Sequence, residues 1–357
     1  MSLEQRKDPT ILEVITWVIH KQRPNWQQCV TQPLKEYYRK YKDLQLENDI
    51  LYLIEGTQRR MCVPEHLIMD FISALHKHPL AGHTGRYRTY KQASKLFYWP
   101  SMSVHIDKAI KSCSVCLRAK RRKPEKFVEL GQTSTAVTER LTVFYADLVG
   151  PWIKQPLPGK HQYLLTLVDA VTKYPEAYPI YRATTQTVMN ALLTHFIPRY
   201  GSGIKLITDR GSQFTSALIK HACAKIGLIS STTQAYEPHS NPVERMHRTL
   251  ESTIRALMLQ DKATHPSSWS DYVPAALASI RQRPLSNQNY TPFYLVHGKD
   301  PIIPAQVMSQ HLTPLSGPNT ITSQVDKLKM AMDKVRAKQL DTHESNKKAY
   351  DKKGPRK

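Results

Sequence analysis

Acidic residues are scarce in this chain: Asp and Glu number 29 against 51 Lys and Arg in 357 residues, a formal net charge of +22. Long apolar runs are missing too. No stretch approaches the ~18 residues that a helix needs to cross a bilayer. The opening MSLEQRKDPTILEV lacks the charged-then-apolar pattern of a secretory signal. The expectation is a chain that stays in the cytosol or nucleus. Cysteine is sparse and odd in number: Cys29, Cys62, Cys113, Cys116 and Cys223. An odd count in a reducing compartment argues against a disulfide scaffold, so any cysteine pair has to be justified as a metal site. No internal repeat is visible.

What is present is enough apolar material, 40% of residues, to bury real cores, so the charge is not that of a disordered polyelectrolyte. At roughly 100 to 200 residues per domain, two or three domains are expected. A folded, strongly basic chain most often neutralises phosphates, which makes nucleic acid the leading partner ahead of an acidic protein or a membrane surface.

Four regions differ in texture. Residues 1–63 read as an N-terminal extension of short helices and a hairpin: Ile11, Leu12, Ile15, Trp17 and Val18 suit one helix face, and LQLENDILYL sets a polar turn between two apolar runs. Residues 64–124 are helix-forming and rich in His, Lys and Arg, ending in the basic run Arg118–Lys123 before Pro124. From about 136 to 305 the texture is strand-rich and then alternating. Leu141–Asp147, Tyr163–Asp169, Glu176–Tyr181, Ile204–Ile207 and Leu228–Thr233 read as strands. A helix capped at Thr184 or Thr185 carries Val188, Leu192 and Phe196, and another runs from about Ser216 to Gly227. Residues 241–260 carry Val243, Met246, Leu250, Ile254, Leu257 and Met258 in steps of three and four, with Glu244, Arg248, Glu251 and Arg255 on the opposite face. This order predicts an α/β class, a mixed sheet flanked by helices behind a small helical domain. Residues 306–357 form a basic tail with a helical stretch near 325–340.

Two constellations carry chemistry. In the first, Cys113-Ser-Val-Cys116 brings two thiolates to one ion, and histidines about 30 residues upstream, in His76-Lys-His78-Pro-Leu-Ala-Gly-His83, complete a tetrahedron. Spacing alone does not choose between His76 and His78 as the partner of His83. A domain this small buries little apolar surface, so a structural Zn²⁺ in place of a larger core is expected. Phe97, Tyr98, Trp99 and Pro100 read as packing for this module. In the second, Asp147 closes a strand, Asp209 follows the strand Ile204–Ile207, and Glu244 opens the helix at 241. Three hard oxygen donors meeting in a cleft suit two Mg²⁺ ions and phosphodiester chemistry, although each carboxylate alone reads as a turn residue or half of an exposed pair.

The motifs resemble those of a known family. Asp147 in ADLVGP, Asp209 in TDRGSQFTS and Glu244 in AYEPHSNPVERMHRTL resemble the acidic triad of retroviral and gypsy-type LTR-retrotransposon integrases. HPLAGHTG, FYWPSM and CSVCLRAK resemble their amino-terminal zinc module, and LLTLVDAVTKYPEA and YTPFYLVHGKDPIIP extend the similarity from about Gln5 to Pro304. The resemblance implies zinc at His76, His83, Cys113 and Cys116. It implies an RNase H-like core that binds Mg²⁺ or Mn²⁺ at Asp147, Asp209 and Glu244. It further implies 3′-end processing and strand transfer by a nuclear homo-oligomer acting on double-stranded retroelement ends and target DNA, with no membrane partner. Tyr236, Arg245, Arg248 and Arg255 are the DNA-contact candidates on that basis. The sequence departs from the family in two places. Asp209 and Glu244 are 244 − 209 = 35 positions apart where 36 is usual, and ESNKKAYDKKGPRK resembles the linker before the family's carboxy-terminal barrel, where the sequence stops. The alternative reading is a catalytically decayed or host-adopted integrase that acts as a DNA-binding protein.

Overall fold

A computed structural model describes residues 1–119, 139–152, 159–208, 213–232, 242–263, 265–285, 290–308, 327–338 and 341. The chain divides into two compact units: Met1–Arg118 with Ile302–Leu315, and Ala119–Pro301 with Ser316–Lys357.

The first unit opens with α1 (Ser2–Lys7), α2 (Pro9–Ile19) and α3 (Gln32–Arg39), then a meander of β1 (Leu44–Glu47), β2 (Ile50–Glu55) and β3 (Gln58–Cys62). Helix α2 starts where Asp8 accepts from the Ile11 amide, with Pro9 pre-set for the first turn. Its Ile11, Ile15 and Trp17 are buried in one cluster with Leu51 and Leu53 of β2, as the apolar spacing predicted, but Leu12, read onto the same face, is exposed, and Val14 takes the buried position instead. The hairpin turn at Asn48 and Asp49 has both residues at positive φ, a conformation that Asn and Asp tolerate. Then come α4 (Ile68–His76), α5 (Arg86–Leu96), β4 (Phe97–Tyr98), α6 (Met102–Lys111) and α7 (Ser114–Ala119). Strand β4 pairs parallel to β3, Met61 with Phe97 and Cys62 with Tyr98, so one sheet of order β1-β2-β3-β4 runs across residue 63. Trp99 is fully buried among Phe71, Phe97 and Ile106, which is the packing role expected of it.

The second unit is built on a five-stranded sheet of β5 (Val143–Val149), β6 (Tyr163–Asp169), β7 (Pro175–Ile180), β8 (Lys205–Thr208) and β9 (Ile229–Thr232). Its order is β7-β6-β5-β8-β9, antiparallel from β7 to β5 and parallel from β5 to β9. The helices in order are α8 (Thr185–Ala191), α9 (Ile197–Tyr200), α10 (Gln213–Ile226), α11 (Pro242–Gln260), α12 (Val273–Arg281) and α13 (Pro292–His297); a further helix, α14 (Pro304–Met308), returns to the first unit and packs on α4. Thr184 caps α8, accepting from Thr187, and a single π-turn at Leu192–Phe196 joins α8 to α9. Helix α10 begins at Gln213, three residues before the Ser216 expected from the sequence. A serine is tolerated inside a helix, so a potential cap residue does not fix the boundary.

Alternation along β5 sorts the two cores. Phe144, Ala146 and Leu148 face Val188, Leu192, Phe196, Ile219 and Cys223, whereas Tyr145 faces Val243, Met246, Leu250 and Ile254 of α11. Both faces of the sheet are therefore covered. Helical residues 327–338 add Ala331, Met332 and Val335 against Val171 and Leu295, in the place where the tail pattern predicted a helix. All five cysteines are buried, and none of them forms a disulfide. Among the described residues, no helix is long and apolar enough to cross a membrane.

Candidate functional site

In the first unit, four side chains separated by up to 40 positions converge. His76 ends α4, and a turn through Gly82 and His83, both at positive φ, reverses the chain so that the His83 amide donates to the His76 carbonyl at 3.0 Å. Cys113 and Cys116 flank the start of α7. The ligand atoms of His76, His83, Cys113 and Cys116 all lie within 4.8 Å of one another, and all four residues are buried. His76 Nε2 is 3.4 Å from both His83 Nδ1 and Cys116 Sγ, and His83 Nδ1 is 3.5 Å from Cys113 Sγ and 3.7 Å from Cys116 Sγ. A tetrahedral ion with Zn–N near ~2.0 Å and Zn–S near ~2.3 Å requires ligand–ligand edges of about 3.3–3.8 Å. Four of the six donor–donor edges stand at that spacing and all lie within 4.8 Å, and four protein donors close the coordination sphere, as in a structural site. His76 Nδ1 is 3.0 Å from the Thr84 carbonyl, which leaves Nε2 for the metal. His78 is outside the group; its Nδ1 accepts from the Leu80 amide. The structure thus distinguishes two histidines that spacing left equivalent.

In the second unit, Asp147 stands on β5 with Leu148 and Val149 still to follow, so it lies inside the strand and not at its end as the sequence suggested. The two extra residues are drawn into the ladder by pairing with Leu164 and Leu165. Asp147 shares the face of Tyr145, the side covered by α11. Ala146 pairs with Thr208, the last residue of β8, so the chain leaves β8 beside Asp147. Helix α11 starts at Pro242, as a proline at a first turn predicts, and its Val243 is buried in the cluster that contains Tyr145. Glu244 is therefore in the first turn of the helix that lies over β5 and β6. Asp209 and Tyr236 lie outside the described residues, as does the segment between Tyr236 and Asn241 where the family spacing differs.

A residue that sequence reasoning passed over stands next to Asp147. His247 of α11 has Nδ1 3.7 Å from Asp147 Oδ2, and its Nε2 is hydrogen-bonded to the Thr166 hydroxyl. Thr166 is opposite Asp147 on β6 and donates to the Asp147 main-chain carbonyl at 3.0 Å. Burial pushes the His247 imidazole down to about 4. Its position, three residues after Glu244 on a helix facing the sheet, was the available signal. Of the basic candidates on α11, Arg245 and Arg248 are exposed, and Arg255 pairs with Glu251 at 2.5 Å.

Residues 63–122 match the integrase zinc binding domain family, and residues 140–238 match the integrase core domain family. The chain is 29% identical over 286 residues to the retrovirus-related Pol polyprotein from transposon 412 of Drosophila melanogaster, across 78% of this chain and 22% of the polyprotein. It is 34% identical over 148 residues to the Gag-Pol polyprotein of Avian reticuloendotheliosis virus, across 41% of this chain and 12% of that one. A solved structure, the simian T-cell lymphotropic virus intasome in complex with the PP2A regulatory subunit B56 gamma, is similar at 20% identity with a TM-score of 0.41, over 68% of this chain and 78% of that chain. The chain thus carries an integrase-type zinc binding domain followed by an integrase-type core domain on a mixed α/β sheet. The matched relatives are Pol polyproteins of a transposon and of retroviruses, and the chain spans less than a quarter of the length of either of these two.

Proposed function

We propose that the protein is a polynucleotidyl transferase that trims the 3′ ends of retroelement DNA and joins them to target DNA in the nucleus. The observation that carries this reading is the placement of Asp147 on the α11 face of β5, beside the end of β8 and under the helix that begins with Glu244. That arrangement, following an HHCC module in the same chain, supports a site for hard cations and a DNA phosphate. The carboxylates of Asp147, Asp209 and Glu244 fit Mg²⁺ or Mn²⁺ by donor type and would hold two ions. Divalent cations in such a site lower the pKa of an attacking water and stabilise the leaving oxygen of a phosphodiester.

The remaining work falls to the chain itself. Asp147 is paired with Thr166 of β6 and follows Ala146, the last β5 residue paired with β8, so the main chain that carries its carboxylate is held in place before the site fills. The exposed Arg245 and Arg248 would take DNA phosphates along α11, with Tyr236 and Arg255 as further contacts. Water attacks in 3′ processing, breaking a P–O bond and releasing a free 3′ hydroxyl. That hydroxyl then attacks a target phosphodiester, so one P–O bond forms as another breaks and no cofactor is consumed. Two DNA ends processed together call for a homo-oligomer.

The test is disintegration of a branched DNA that mimics the strand-transfer product, in Mg²⁺ and in Mn²⁺, with Asp209→Asn as the control. Metal-dependent resolution that is lost in the variant is the expected result. Folded, zinc-loaded protein that binds DNA but resolves nothing would overturn the catalytic reading in favour of a DNA-binding protein on the integrase fold.

A further inference from the structure

His247 sits in a chain of contacts that crosses three elements. Thr166 is completely buried on β6, and its hydroxyl touches both the Asp147 carbonyl oxygen and His247 Nε2. A hydroxyl has one proton. With that proton donated to the Asp147 carbonyl, Thr166 accepts from His247, which places the imidazole proton on Nε2. Nδ1 is then the unprotonated nitrogen, and it faces Asp147 Oδ2 at 3.7 Å, too far for a hydrogen bond. The ring thus holds Asp147 by way of Thr166 and its main chain, without a direct bond to the carboxylate.

We propose that His247 is a positioning residue for the metal site: through the Thr166 hydroxyl it locks α11, the helix that starts with Glu244, onto the strand pair that presents Asp147. This rests on the carboxylate-site reading above. The geometry favours it over a purely structural role because the two residues linked are the partner directly opposite Asp147 in the ladder and the residue one helical turn after Glu244. A slip of α11 along the sheet would break this link first and would change the separation of the two carboxylate-bearing elements. Outer partners of this kind typically tune metal affinity ~10- to 100-fold when removed.

The experiment measures Mn²⁺ binding to the zinc-loaded full chain by its electron paramagnetic resonance signal, with Asp147→Asn defining the carboxylate-site component. Disintegration rates in Mg²⁺ and Mn²⁺ are followed alongside. His247→Ala and Thr166→Val should each weaken that component about tenfold and lower the Mg²⁺ rate more than the Mn²⁺ rate. The double variant should be no worse than either single one, because both break the same link. His247→Gln, whose amide nitrogen reaches the position of Nε2, should restore most of the loss, and His247→Asn, which reaches only the position of Nδ1, should not. Thr166→Val keeps the shape of the buried residue, so it carries the test if His247→Ala fails to fold. Mn²⁺ affinity within twofold of wild type in both variants, or rescue by Asn and not by Gln, would overturn the proposal. Loss of the Asp147-dependent component from the wild type itself would instead overturn the carboxylate-site reading.

Discussion

His76 Nε2 and Cys116 Sγ stand 3.4 Å apart although 40 positions separate them in the chain. They close a loop that contains α5, β4 and α6, and that loop's apolar residues, Phe97, Trp99 and Ile106, form the same cluster as Phe71 of α4. The zinc group and the hydrophobic core therefore stabilise the same segment.

Removing the metal should accordingly unfold more than the four ligands. Cys116→Ser or a strong chelator is expected to abolish bound zinc and to melt the helices of residues 68–119. The β3–β4 pairing carries the effect into the N-terminal sheet. Structural zinc in small modules contributes about 10–16 kcal/mol of apparent binding energy, so the loss should leave no residual transition for this unit in a thermal melt followed by circular dichroism. Stoichiometric zinc in the purified Cys116→Ser protein would refute the assignment.

DNA affinity should be strongly salt-dependent. A chain of net charge +22 with exposed Arg245 and Arg248 displaces counterions when it binds. For about six phosphate contacts, affinity should drop roughly 10³-fold between 50 and 200 mM salt. Fluorescence anisotropy across that range checks it, and Arg248→Ala should reduce the slope by about 1.

Glu176 is a structural carboxylate, distinct from the proposed triad. It is buried on β7, where it accepts from Tyr200 at 2.7 Å, from Arg199 at 3.2 Å, and pairs with Arg281 at 2.9 Å. Glu176→Gln leaves Arg281 without its counter-charge and should cost about 3 kcal/mol, at the lower end for a broken buried pair because Arg199 remains half in water. Urea denaturation should show a lower midpoint with an unchanged m-value.

Lys173 should make stability depend on alkaline pH. Burial pulls its ammonium down to about 8, with Arg245 adding to the shift and Asp169 opposing it. The folded value lies below the unfolded one, so between pH 8 and about 10.5 the unfolded chain binds more protons and folding becomes more favourable as pH rises. Lys173→Met should therefore raise the urea midpoint at pH 7, with the gain fading toward pH 10.5. An equal gain at both pH values would refute the burial cost.

Local pattern was enough for the elements themselves. Val188, Leu192 and Phe196 lie on one buried face because a 3.6-residue period is written in the sequence, and Tyr163–Asp169 forms the strand that its apolar run implied. A metal site at Cys113 and Cys116 with histidines upstream was likewise legible, since metal chemistry restricts ligands to a few residue types; the choice of His76 was implied only by the family resemblance. Three-dimensional proximity had to be decided by folding. Neither the parallel pairing of Met61 with Phe97 nor the return of α14 to α4 leaves a trace in any window of the sequence, because the partners are far apart and their contact is made by nonspecific apolar burial. The same holds for His76 over His78: the last residue of α4 and a residue two positions beyond it are separated only by where the backbone aims them. The link from His247 through Thr166 to Asp147 spans 100 positions and exists only once β5, β6 and α11 have packed.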